Sequence, residues 1–232
     1  MKPIRIVLCA LALAGMTPRL AHAYSSTVDN LFAPIPDGDL NGYENSQTVS
    51  GVAGPVQHVS VSFNITGGLN GDLYAYLFHN NTSATLLNRV GRSSTSNLGY
   101  PDTGFGPDAG LISFTLDDLA SYDIHRYRTV AYTLNGAGQL TGRWQPDGRA
   151  LDPLSAGSLF DSAPRSNPLS VFNGMDPNGT WSLFVADASS GFESTLVGWT
   201  LNIDVPEPGS AALLVGALAA MLVARKTRIS QG

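Results

Sequence analysis

Apolar residues recur at every second position in four segments of this chain, and that period selects β-strands over amphipathic helices. Val59, Val61, Phe63 and Ile65 alternate with Ser60, Ser62 and Asn64. Leu73, Ala75 and Leu77 alternate with Tyr74, Tyr76 and Phe78, so both faces are apolar there. Trp181, Leu183 and Val185 alternate with Ser182, Phe184 and Ala186, and Val197, Trp199, Leu201 and Ile203 with Gly198, Thr200 and Asn202. Turn signals bound these runs: Gly67-Gly68, Asn80-Asn81, Asn178-Gly179 and Ser190-Gly191. At Asn178-Gly179 the spacing predicts a tight turn with positive φ. Strand runs at short spacing, with no helical period between them, predict an all-β, jelly-roll-like β-sandwich. Between 91 and 170 the pattern weakens. There 114–119 and 129–134 read as further strands, and 99–110 and 145–168 as loops.

The 232 residues fit one domain or at most two. Charged residues make up 13% of the chain, too few for a coiled coil or an acidic disordered chain. The charges are also segregated. The body, 24–204, holds seven arginines, no lysine and 17 acids, a formal charge of −10. Nucleic-acid binding needs clustered Lys and Arg against phosphate, so that function is excluded. The single cysteine, Cys9, lies in the N-terminal apolar run. The body therefore has no disulfide, no thiolate zinc site and no cysteine nucleophile.

The two ends read as addresses. Lys2 and Arg5 precede an apolar stretch over 6–16, and Ala21-His22-Ala23 follows as a small-x-small site. That order predicts a signal peptide over 1–23, cut after Ala23. At the other end Pro206-Glu207-Pro208 precedes a hydrophobic helix expected over 210–224, and a basic tail, Arg225-Lys226-Thr227-Arg228, closes it. The apolar run is somewhat short for a membrane span, and the basic cluster would hold its end in the cytoplasm. A plain tail anchor has the same outline. The order of elements over 205–232 resembles the PEP-CTERM sorting signal of Gram-negative bacteria. The resemblance implies processing by an exosortase. It also implies export across the inner membrane, transient anchoring through the C-terminal helix, and release to the cell surface or beyond.

The body, over roughly 32–204, resembles a second family. Asp176-Pro177-Asn178-Gly179-Thr180-Trp181-Ser182-Leu183-Phe184-Val185-Ala186-Asp187 is similar to the "NGTWTLxVxD" strand of the P-domain, or Homo B module. Gly191, Leu196, Trp199 and Ile203 match its closing strand, and Gly71-Asp72-Leu73 and Phe172-Asn173-Gly174 match earlier segments. The resemblance implies a β-sandwich that accompanies subtilisin-like proteases without being catalytic itself. Large aromatics within strands are core residues before they are ligand platforms, so Trp181 and Trp199 are expected in the core.

No chemistry-bearing motif emerges: neither G-x-S-x-G nor H-E-x-x-H occurs. His58, His79 and His125 are scattered, with His58 expected on the surface of a strand. The chain is read as no enzyme. The best chemical signal is acidic. Asp37, Asp39 and Asn41, with Gly42 at the sixth position, match the first half of an EF-hand loop, but Thr48 stands where its Glu belongs. Two readings follow: a turn that binds calcium weakly, or an ordinary Asp/Asn/Gly turn. Asp72 and Asp187, each at a strand end, either cap turns or share a cation, with capping ranked first. Two functions fit. One is a non-catalytic envelope or extracellular matrix protein associated with exopolysaccharide. The other is an accessory or inhibitory module acting on a partner subtilisin-like protease.

Overall fold

The computed structural model describes residues 20–107 and 114–206, without the side chains of 20–23. Eleven strands follow in chain order: β1 (Leu20–Val28), β2 (Ala33–Ile35), β3 (Tyr43–Val49), β4 (His58–Gly67), β5 (Leu73–His79), β6 (Thr82–Asn88), β7 (Gly104–Phe105), β8 (Thr115–Asp117), β9 (Arg143–Trp144), β10 (Gly179–Asp187) and β11 (Ser194–Pro206). They form two packed sheets. The first runs β1-β11-β4-β8-β9, with β2 also on β11 and β7 also on β4, and the second runs β3-β10-β5-β6. The architecture is the expected all-β sandwich.

The period-two runs set the core. Val59, Val61, Phe63 and Ile65 of β4 and Leu196, Trp199, Leu201 and Ile203 of β11 are all buried. They face Leu73, Ala75 and Leu77 of β5 and Trp181, Leu183 and Val185 of β10. Trp181 stacks on His79 with ring centroids 4.0 Å apart and planes 3° apart, and its Nε1 donates to the Pro177 carbonyl at 2.9 Å. Trp199 Nε1 donates to Asn45 Oδ1 on β3 at 2.8 Å, so this side chain ties one sheet to the other. Both tryptophans are core residues, as expected.

Turns come out as the sequence implies. Asn80-Asn81 closes the β5–β6 hairpin, where His79 pairs with Thr82 and Asn80 has φ 51°. Gly68 has φ +64°, and a Cβ there would collide with Ser194 Oγ, so glycine is required on both counts. Asn178-Gly179 has the expected positive φ at Gly179, 121°, but does not join two strands as a hairpin turn. Gly179 already opens β10, and the Asn178 side chain bonds both backbone groups of Val52, at 3.0 and 2.8 Å. Asparagine is selected here for its amide, not for its backbone freedom.

The middle departs more. β8 covers only part of the strand expected over 114–119, and 129–134 forms no strand. Instead Ile124–Thr129 is a 3-10 helix that turns Tyr127 into the core, and Thr133 uses its carbonyl to accept from Thr141 N–H. Within the loops expected over 99–110 and 145–168 lie β7 and a one-turn helix, α1 (Gly157–Phe160). The edge of β6 is covered by this region: Asp147 N–H bonds Leu86, Gly148 N–H bonds Thr85, and Thr85 N–H bonds Asn167. Covering an edge removes a template for pairing with other chains.

Candidate functional site

Of the expected metal residues, Asp37, Asp72 and Asp187 lie close enough together to act on one another's carboxyls, whereas the core tryptophans and Pro206 of the sorting motif lie elsewhere. Asp39 Oδ1 accepts from its own turn, from Asn41 N–H at 2.9 Å and from Asn41 Nδ2 at 2.8 Å. Asp37 Oδ2 accepts from Gly191 N–H at 2.8 Å, joining this turn to the β10–β11 connection. The geometry is that of the ordinary Asp/Asn/Gly turn. Among the described residues, no group of three or more His, Cys, Asp or Glu side chains is arranged to hold a metal ion. Asp39 and Asn41 are thus engaged within their own turn, and Asp37 with the β10–β11 connection. One oxygen of Asp37 and one of Asp39, at positions 1 and 3, accept N–H groups, and Asn41 at position 5 acts as a donor.

Asp72 and Asp187 surround an internal cation. Arg89, whose φ is 50°, donates Nη2 to Asp72 Oδ1 at 3.3 Å and to Ser189 Oγ at 2.8 Å, and Nε to the Gly71 carbonyl at 3.0 Å. Asp187 Oδ1 accepts from Ser189 N–H at 3.0 Å, which is the capping role. Its Oδ2 is buried with no hydrogen-bond partner in the described protein. Burial pushes the Asp187 carboxyl up to about 6, and the neighbouring Asp72 and Asp37 push the same way. A folded-state value above the ordinary carboxylate range means that folding weakens as pH rises from about 4 to about 6. Asp187→Asn keeps the capping oxygen and removes the charge. It should stabilise the fold at pH 8 by on the order of 1–3 kcal/mol, with the gain vanishing below about pH 4. Thermal melts across that range check this; a gain equal at pH 4 and pH 8 would contradict it.

The three described histidine side chains are all built into the fold. His79 sits with Nδ1 3.0 Å from the Thr180 carbonyl and Nε2 2.7 Å from the Asp176 carbonyl. His125 has Nδ1 2.6 Å from Asp147 Oδ2 and donates Nε2 to the Arg92 carbonyl at 2.9 Å, its ring stacked on Phe160. His58 is not the plain surface residue expected. Its Nε2 lies 2.9 Å from Asp117 Oδ1 and its Nδ1 3.2 Å from Asp204 Oδ2. It thus bridges β4 to β8 and to β11. The hydrogen bond to Asp117 raises the His58 ring above its ordinary value, outweighing burial, which pulls it down, and Asp204 adds to the rise. Burial alone would raise Asp117. Hydrogen bonds from His58, from Leu119 N–H and from Arg143 hold it below the usual range instead.

The sign for His58 is therefore fixed. Its contribution is complete below the unfolded value near 6.5 and fades as pH rises through the higher folded value. His58→Gln should cost more stability at pH 5.5 than at pH 8.5. Urea titrations at both pH values test this, and an equal cost at both would refute it.

The predicted processing sites lie side by side where the structure describes them. Ala21 of β1 pairs with Val205 of β11, and the ladder steps out of register between His22 and Tyr24, at Ala23. Removal of 1–23 leaves the pairs from Tyr24–Ile203 to Val28–Trp199 intact. Pro206 is the last residue of β11. Glu207, Pro208, the hydrophobic helix expected over 210–224 and the basic tail lie outside the described residues. No helix of the described residues is long and apolar enough to cross a membrane.

No family model matches the chain, and no curated protein matches it. Among solved structures, the chain is similar to the serine protease of Aeromonas sobria. The match has a TM-score of 0.41 and 14% identity, covering 78% of this chain and 26% of the protease chain. The same protease in complex with its chaperone gives a TM-score of 0.39 at 14% identity, covering 82% of this chain and 28% of that one. The chain thus spans about a quarter of the length of the protease chains it matches.

Proposed function

We propose that the chain is a non-catalytic β-sandwich of the bacterial envelope or extracellular matrix, exported through residues 1–23, sorted by an exosortase through Pro206-Glu207-Pro208, and associated with exopolysaccharide. The observation that carries the non-catalytic half is the state of the histidines. Both ring nitrogens of His58, His79 and His125 face hydrogen-bonding partners of the fold itself. Histidine is the commonest general base, and each of these three has both ring nitrogens engaged within the fold. The proposed association with a polymer rather than a small molecule is supported by the open outer faces of both sheets, each of which carries hydroxyl groups, Ser46 and Ser182 on the smaller sheet among them. On the larger sheet Ser25 bonds Asn202, Thr27 bonds Thr200 and Ser62 bonds Thr115, a ladder of short polar side chains.

Crosslinking of the exported protein in its native envelope, read by mass spectrometry, tests the reading. Crosslinks into the polysaccharide fraction support it. A subtilisin-like protease as the dominant crosslinked partner would replace it with the accessory-module reading.

A further inference from the structure

The outer faces of the two sheets differ in kind. On the larger sheet the outward positions of β4 and β11 are Ser60, Ser62, Asn64, Thr200 and Asn202, as a solvated antiparallel face requires. On the smaller sheet the outward positions of β5 are Tyr74, Tyr76 and Phe78, and Phe184 stands beside them on β10. These four rings form one continuous strip. Tyr74 and Tyr76 are 5.9 Å apart between centroids, Tyr76 and Phe78 6.1 Å, Tyr74 and Phe184 5.8 Å, and Tyr76 and Phe184 6.3 Å at only 22° between planes. The strip is graded. Tyr74 is buried and anchored, its hydroxyl donating to the Leu40 carbonyl at 2.8 Å. Tyr76 and Phe184 are half-buried, and Phe78 is 39% exposed.

The surroundings of the strip specify its occupant. Ser46 and Ser182, on the rung beside Phe78, bond each other at 2.7 Å. Thr180, Asn80 and Ser182 line a shallow cleft with Phe78 at the same end. Aromatic faces flanked by hydroxyl and amide groups match a sugar ring, which offers C–H bonds on its faces and hydroxyls at its edge. The charges around the strip are acidic. Glu44 pairs across the strands with Phe184, and Asp152 is close enough to Tyr76 to act on its phenol. With no lysine in a body of formal charge −10, anionic polymers and anionic lipid surfaces are repelled. A neutral chain is not.

We propose that the outer face of the four-stranded sheet is a binding platform for a neutral polysaccharide, with Tyr76, Phe78 and Phe184 stacking sugar rings and Ser46, Thr180, Ser182 and Asn80 bonding their hydroxyls. This rests on the polysaccharide-associated reading above and names the site for it. The alternative occupant of an aromatic face, a second copy of the chain, is an outcome of the test.

The test is native gel electrophoresis of the exported protein through gels containing hydroxyethylcellulose, dextran or galactomannan, with alginate as the anionic comparison. Retardation by at least one neutral polymer and none by alginate is expected. Phe78→Ala and Phe184→Ala should weaken that retardation at least tenfold, and Phe78→Trp should keep it. Unchanged tryptophan fluorescence shows that the variants are folded. Three results overturn the platform: no retardation by any of the three neutral polymers, retardation that Phe78→Ala and Phe184→Ala leave unchanged, or self-association that Phe78→Ala abolishes. The second of these leaves polysaccharide association standing and removes only this site.

Discussion

Trp181→Ala should lower the unfolding free energy by about 3–5 kcal/mol, and Trp199→Ala by a similar amount, the range for a buried aromatic truncated in a core. Trp181 is fully buried. Its removal also strips the face of His79, stacked at 4.0 Å, and one edge of Phe172, whose centroid is 4.9 Å away. Trp199 adds a loss of another kind, because Asn45 Oδ1 on the opposite sheet loses the donor that links the layers. Domains of this size are stable by only about 5–15 kcal/mol, so either change should leave a protein near its unfolding threshold. Denaturant titration of the exported protein measures both. A loss under about 1 kcal/mol at either position would contradict the packing described.

The second large effect concerns the C-terminal end. Changing Pro206-Glu207-Pro208 to Ala-Ala-Ala should leave folding and export intact and abolish removal of the tail. The core ends before these residues, with Ile203 and Val205 as its last buried side chains. Proline has no N–H to continue a ladder and keeps its neighbours extended. Intact-mass measurement of the wild-type and triple-alanine proteins checks this, and a triple-alanine protein that still loses 211–232 would contradict it.

What was legible in the sequence follows from how each segment is stabilised. β4, β5, β10 and β11 each bury every second side chain, so their burial writes itself into local period. The tryptophans were legible for the same reason. The middle was not, because charged side chains order it across long separations. Asp102 takes Arg128 at 2.7 and 2.5 Å, Asp117 takes Arg143 at 3.0 and 2.5 Å, and Asp123 takes Arg149 at 2.7 Å, each pair 26 residues apart. No local period records such pairs. The acids of the Asp37–Asn41 turn are ambiguous for a different reason. The same oxygen spacing serves a cation or a turn, and only the positions of the N–H donors decide between them. The aromatic strip was visible as an apolar second face on β5, but the sequence does not say whether a layer of the fold covers that face.

Intact-mass measurement of the protein recovered from the envelope of a host with an active exosortase bears most directly on the account as a whole. The mass should correspond to a chain that begins at Tyr24, ends near Pro208 and lacks 211–232. A mass that retains 211–232 would contradict sorting by this signal and reduce the segment to a simple anchor.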